Sequence, residues 1–206
     1  MPVEEKSDAE LARALLTGDE EAFNQFVQAF HSRLAQYSFL MCGQREDAEE
    51  VAQETLMKVF QNLEQLRDPG SIKAWVFRIA KNECLMKRRR SVFAPKAEFS
   101  LDELRPKASS DGNTTGIEIA DWDSLPDNIL LDSELRNALA ASIQQVPEIY
   151  RSVVLLRDVE GLNTSETAEV LEISTDTVKT RLHRGRLALR QSMDAYLRSS
   201  QGERRT

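Results

Sequence analysis

The chain has 206 residues, of which 41% are apolar and 30% charged, with a formal net charge of −7. That length allows one large domain or two small ones, and the composition suits a water-facing protein with a packed core. No apolar run is long enough to cross a membrane, and Met1-Pro2-Val3-Glu4-Glu5-Lys6 is too acidic and polar for a secretion signal, so cytoplasmic residence is expected.

Helical periodicity dominates from the N-terminus. Ser7 with Glu10 reads as a capping box that opens a short helix ending at Gly18. Asp19 caps the next helix, along which Ala22, Phe23, Phe26, Val27, Phe30, Leu34 and Tyr37 recur as an apolar stripe. A further helix is predicted from about Arg45 to about Leu66, with acids in its first turns where the helix dipole favours them. Asp68-Pro69-Gly70-Ser71 is a turn, and from Ser71 a helix runs into Arg88-Arg89-Arg90, cations at its C-terminal end.

The pattern breaks between Phe93 and about Ser124. Ser109-Ser110-Asp111-Gly112-Asn113-Thr114-Thr115-Gly116 has little apolar content and predicts a mobile linker. Periodicity returns near Pro126, with helices expected to about Ile143, from Pro147 to Glu160, from Thr164 to Leu171 and from Thr175 to about Leu197. Pro147 fits a first helical position and Gly161 a C-terminal cap. No strand alternation stands out. The expected fold is all-α: two small helical bundles joined by a flexible acidic linker, with boundaries at 1–92, 93–125 and 126–206.

Charge is unevenly placed. Between Ser71 and Val92 seven basic residues face one acid, Glu83; between Thr175 and Arg198 six face two acids. Between Phe93 and Glu134 ten acids face three bases. An acidic middle separates two basic segments, and affinity for phosphate follows local potential rather than the whole-chain sum.

Cys42 and Cys84 are the only cysteines, and His31 and His183 the only histidines. Their spacing matches no zinc site, so no metal is expected and the cysteines read as small core residues. There is no glycine-rich phosphate loop, serine elbow or paired catalytic carboxylate with a signature. A binding protein without cofactor is expected rather than an enzyme.

The sharpest local pattern runs from Gly161 to Arg186. Asn163 and Glu166 form a capping box, Ala168 and Leu171 face inward, Ile173 fills a turn and Ser174 caps a second helix. On that helix Val178, Leu182 and Leu189 make an apolar stripe, with Gly185 permitting close packing. The other side carries Thr175, Asp176, Lys179, Thr180, His183 and Arg186. One side locks into a bundle and the other meets a major groove, as in a helix-turn-helix. The N-terminal residues are expected to reach base edges and the arginines to hold phosphates.

Two further strings complete a resemblance. Asp47-Ala48-Glu49-Glu50-Val51-Ala52-Gln53-Glu54-Thr55 resembles the D-A-E-x-x-x-Q-E-T segment of bacterial extracytoplasmic-function (ECF) sigma factors, of the sigma-70 family. Ala74-Trp75-Val76-Phe77-Arg78-Ile79-Ala80-Lys81-Asn82 resembles their A-W-x-x-R-I-A-x-N segment, and Thr177-Val178-Lys179-Thr180-Arg181-Leu182-His183-Arg184 their recognition helix. The resemblance covers about Asp8 to Arg90 and Pro126 to Leu197.

It implies a transcription initiation factor that binds core RNA polymerase, through its β′ and β subunits, and promoter DNA. Asp47, Glu50, Gln53, Glu54 and Met57 would dock on the β′ coiled coil. Lys73, Arg78, Lys81, Asn82, Lys87 and Arg88 would bind the opened minus-ten element, while Trp75, spaced with Ile79, is expected in the core. Thr175, Asp176, Thr177, Lys179, Thr180, Arg181, His183, Arg184 and Arg186 would bind the minus-thirty-five duplex, and Arg151 would add a backbone contact. The resemblance also implies an anti-sigma partner. The acidic linker is expected to thread a basic polymerase channel. Three departures stand out: Glu172 replaces the family's usual glycine, Thr167 replaces an apolar residue, and the linker is longer and more acidic. Two other readings are open: a stand-alone helix-turn-helix regulator, and a helical nuclease holding magnesium at Asp47, Glu50 and Glu54.

Overall fold

The computed structural model describes residues 7–90 and 133–203. Every regular element among the described residues is helical. Helix α1, Asp8–Leu16, starts at the predicted box: Ser7 Oγ accepts from the Glu10 N–H, and the Glu10 carboxylate accepts from the Ser7 N–H at 2.8 Å. Asp19 accepts from the N–H groups of Glu21 and Ala22 and opens α2, Glu20–Cys42. Gly43, at φ 85°, ends it in a conformation that costs a glycine nothing.

Helix α3, Arg45–Gln61, stops short of the predicted Leu66. The cause is Asn62, whose side-chain amide and backbone N–H both donate to the Lys58 carbonyl and turn the chain into a 3-10 turn, Leu63–Gln65. Asp68 then accepts from the Gly70 N–H and the Ser71 hydroxyl, which pull its carboxyl below the usual aspartate range. That turn launches α4, Ile72–Arg90. Phe26, Phe30, Leu34, Tyr37 and Phe77 are fully buried where α2 meets α4. Trp75 packs against the same core half-buried.

The second group comprises α5, Ser133–Gln145; α6, Glu148–Val154; α7, Thr164–Leu171; and α8, Thr175–Glu203. Pro147 stands one residue earlier than predicted, as the extended residue before α6. Beyond Val154 the helix widens into a π turn, Leu155–Val159, where the Glu160 N–H reaches back five residues to Leu155. Gly161 leaves that turn at φ 68°. The widened turn sends Asp158 to Arg186 of α8 and Glu160 to Arg33 of α2.

Gly185 explains how α8 sits so close to α6. A Cβ there would lie 2.6 Å from Val154 Cγ2 and 3.2 Å from the Tyr150 carbonyl oxygen. Val153, Ala168 and Val178 form a small core, with Leu171, Ile173 and Leu182 packed around it.

The two bundles seat on each other. Helix α4 packs on α7, and α2 on α5 and α6, so one apolar cluster runs from Leu11 to Leu189. Arg33 stands at the junction: it pairs with Asp8 and with Glu160, each at 3.3 Å, and its guanidinium lies over the rings of Phe30 and Phe77. Arg151 donates to the carbonyl oxygens of Met41 at 3.1 Å and Val146 at 2.9 Å and thereby ties α6 to the end of α2. The expected linker, 93–125, lies outside the described residues. No helix among the described residues is long and apolar enough to cross a membrane.

Candidate nucleic-acid interface

The cationic surface of α8 is built from its cap outward. Asn163 accepts from the Glu166 N–H at 2.9 Å, and Glu166 from the Asn163 N–H at 2.6 Å, which fixes the start of α7. The chain reverses at Glu172, the single non-glycine residue at positive φ among the described residues (φ 57°). The resemblance led to the expectation of a glycine here; glutamate takes the left-handed conformation in its place. Ser174 Oγ accepts from the Thr177 N–H and caps α8.

Thr175, Asp176, Lys179, Thr180, His183 and Arg184 are exposed on α8, and Thr177 and Arg181 half-buried beside them. Asp176 pairs with Lys179 at 3.1 Å, leaving both on the outer face. Arg184 approaches the Tyr150 hydroxyl at 3.5 Å, and Ile149, 48% exposed, borders the shallow groove between α6 and α8. Arg186 departs from the expectation of a groove contact. Its guanidinium grips Asp158 by two bonds, 2.9 and 2.6 Å, and that carboxylate holds the arginine charged above its ordinary range. Arg186 therefore braces the π turn against α8. Arg151, expected to touch the DNA backbone, is engaged with protein carbonyls.

On α4, Asn82 is exposed, while Lys73, Arg78 and Lys81 are half-buried. Burial, with Arg33 nearby, lowers the Lys73 ammonium from its usual value. Arg78 pairs with Glu169 at 3.4 Å; Lys81 donates to the Val170 carbonyl at 3.1 Å and lies 3.5 Å from Glu172. Lys87 turns toward α3, where it pairs with Asp47 at 3.3 Å and with Glu50, whose hydrogen bond raises the ammonium above its usual value. Two sites expected to be separate thus share one ion cluster. The Arg88 side chain lies outside the described ones.

On α3, Glu50, Gln53 and Met57 are exposed and Glu54 half-buried, with Met57 at 49%. The face combines acid and a soft apolar side chain. It holds no group of three or more metal-ligating side chains, nor does any other place among the described residues. The nuclease reading therefore lacks its metal cluster among the described residues.

Comparison with known proteins decides the family. The model for sigma-70 region 2 matches residues 26–92, and that for sigma-70 region 4 matches residues 136–189. The chain is 31% identical over 176 residues to the ECF RNA polymerase sigma factor SigW of Bacillus subtilis, covering 85% of this chain and 91% of that one. It belongs to the ECF RNA polymerase sigma factors.

The ECF RNA polymerase sigma-E factor of Haemophilus influenzae is 28% identical, covering 89% of this chain and 93% of that one. Among solved structures, CnrH in complex with the cytosolic domain of CnrY shares the fold, with a TM-score of 0.62 at 24% identity over 92% of this chain and 99% of that one. As a sigma factor the chain binds core RNA polymerase and directs promoter-specific transcription initiation. The stand-alone regulator is not favoured, because region 2 is present as well as region 4.

Sequence reading missed Arg33, Asp158, Glu160 and Glu169. The sigma factor uses all four as partners across elements. Only the capping glycine after Glu160 signalled that this acid ends a helix; its partner lies 127 residues away in the chain.

Proposed function

We propose a division of labour along the sigma factor. Residues 1–92 bind core polymerase through Asp47, Glu50, Gln53, Glu54 and Met57 on α3, and the opened minus-ten strand through Lys73, Arg78, Lys81, Asn82 and Arg88 on α4. Residues 93–125 form the connecting tether. Residues 126–206 bind the minus-thirty-five duplex through Thr175, Asp176, Thr177, Lys179, Thr180, Arg181, His183 and Arg184. Arg186 and Lys87 serve these surfaces by positioning their neighbours.

The observation that carries this reading is the two-sidedness of α8. Its inner side is locked by Val178 and by Gly185 against Val154, so the polar and basic outer side is presented rigidly. A helix so held enters a major groove, where N-terminal side chains meet base edges and cations meet phosphates. The protein performs no chemistry of its own in this reading; the polymerase makes RNA and the sigma factor supplies binding energy at the promoter. It acts in the cytoplasm, with an anti-sigma protein, inferred from family membership, as a further partner.

Run-off transcription with purified core polymerase tests the division. Wild-type protein should produce discrete starts. Arg181→Ala should weaken promoter binding by about 5- to 100-fold with an unchanged melting temperature. Glu50→Lys with Met57→Ala should reduce assembly with core polymerase. Full promoter binding by both variants would overturn the assignments.

A further inference from the structure

One wall of the groove between α6 and α8 is Ile149, in the first turn of α6 and 48% exposed. The other wall is a stripe of α8. Thr177, Thr180, Arg181 and Arg184 recur three and four residues apart, so they share one side of that helix. Asp176 lines the same groove at the first turn of α8.

The hydroxyls of both threonines are engaged within α8 and its cap. Thr180 donates to the Asp176 carbonyl at 2.9 Å, and Thr177 shares a hydrogen bond with the Ser174 hydroxyl at 2.8 Å. Their methyl groups, with Ile149, are therefore the contacts that the groove offers to a ligand. Its charge is cationic: Arg181 and Arg184 meet one acid, Asp176, and Lys179 pairs with that carboxylate at 3.1 Å. An apolar surface framed by arginines complements a methylated base edge with phosphates alongside. In a major groove thymine is the base that presents a methyl, and threonine methyls and other apolar groups are the contacts that read it. Ile149 lies beside the first turns of α8, the part of a recognition helix that meets base edges.

We infer that Ile149, with the methyls of Thr177 and Thr180, forms a subsite for the 5-methyl group of one thymine in the minus-thirty-five duplex, flanked by Arg181 and Arg184 on the phosphates. The subsite rests on the assignment of α8 to that duplex. Ile149 is then a specificity-determining residue supplied by a helix outside the helix-turn-helix. It favours thymine over cytosine, which lacks that methyl.

The test uses holoenzyme assembled from the full-length chain and core polymerase, with a promoter fragment mapped by run-off transcription. Each thymine of the minus-thirty-five segment, on either strand, is replaced singly by 2′-deoxyuridine, which keeps the base pair and lacks only the methyl. Binding is read by competition. With wild-type protein one replacement should stand out, weakening binding by about fourfold, the worth of one buried methyl. Ile149→Ala should bind thymine and deoxyuridine equally at that position. Val159→Ala trims another exposed apolar side chain, outside the groove, and should keep the wild-type ratio. Each ratio is taken on one protein, so a smaller folded fraction in a variant cancels.

A flat scan with wild-type protein would overturn the subsite. So would an Ile149→Ala ratio equal to that of wild type, or loss of the ratio in Val159→Ala. Full promoter binding by Arg181→Ala would overturn the minus-thirty-five assignment and the subsite with it. Weakened binding by Arg181→Ala beside a flat scan would overturn the subsite alone.

Discussion

Gly185 shows how one missing Cβ sets a binding surface. Within a helix, alanine is ordinarily favoured over glycine by about 1 kcal/mol. Here the added carbon would press on Val154 and on the Tyr150 carbonyl, and the latter is backbone that cannot swing aside. Overpacking of this kind costs about 1–3 kcal/mol, so the clash wins. Gly185→Ala should lower the free energy of unfolding in urea; an increase would show that α6 and α8 are not packed this tightly. The sequence made this glycine legible because it interrupts an apolar stripe. It made Glu172 legible only as an oddity: the turn it occupies is local, but Lys81, which its carboxylate approaches at 3.5 Å, is distant in the chain.

At the scale of elements, capping and periodicity carried most of the information. Boxes such as Ser7/Glu10 and Asn163/Glu166 need only residues three apart, so the starts of α1 and α7 were readable to the residue. The end of α3 was not, since Asn62 acts through a side-chain bond that the apolar stripe does not reveal. The π turn was hidden for a similar reason: one extra residue within a helical pattern leaves no compositional trace. Its consequence is that the Arg186 guanidinium is turned onto Asp158. Arg186→Gln should lower the melting temperature, the Asp158 fork being worth on the order of 1 kcal/mol, while the salt dependence of promoter binding stays unchanged. Lys179→Gln should do the reverse, reducing the salt slope by about one with no change in melting. Equal effects of the two substitutions would refute this sorting.

For the whole molecule, the pairing of bundles was the least legible feature, because contacts between distant segments have no local signature. Glu160 makes it measurable. Burial raises its carboxyl above the usual glutamate range, although Arg33 and Lys73 oppose the shift and Asp8 adds to it. Folded protein thus keeps a proton that the unfolded chain releases. Stability from this group is fully present below the ordinary glutamate value and declines as pH rises through the raised one. Subtracting the stability of Glu160→Gln from that of wild type at each pH should give a difference that falls across this window. A flat difference would mean that the carboxyl is not shifted.

The ion pairs and hydrogen bonds that join the bundles among the described residues leave from α2 and α4, whereas Glu50, Gln53 and Met57 on α3 stay exposed. That placement dictates an order of events. On the assignment proposed above, in which polymerase docks on α3, the enzyme lands before the bundles part, so encounter precedes rearrangement. Stopped-flow mixing should then show two phases: a fast one proportional to polymerase concentration, and a slower one that levels off at the rate of opening.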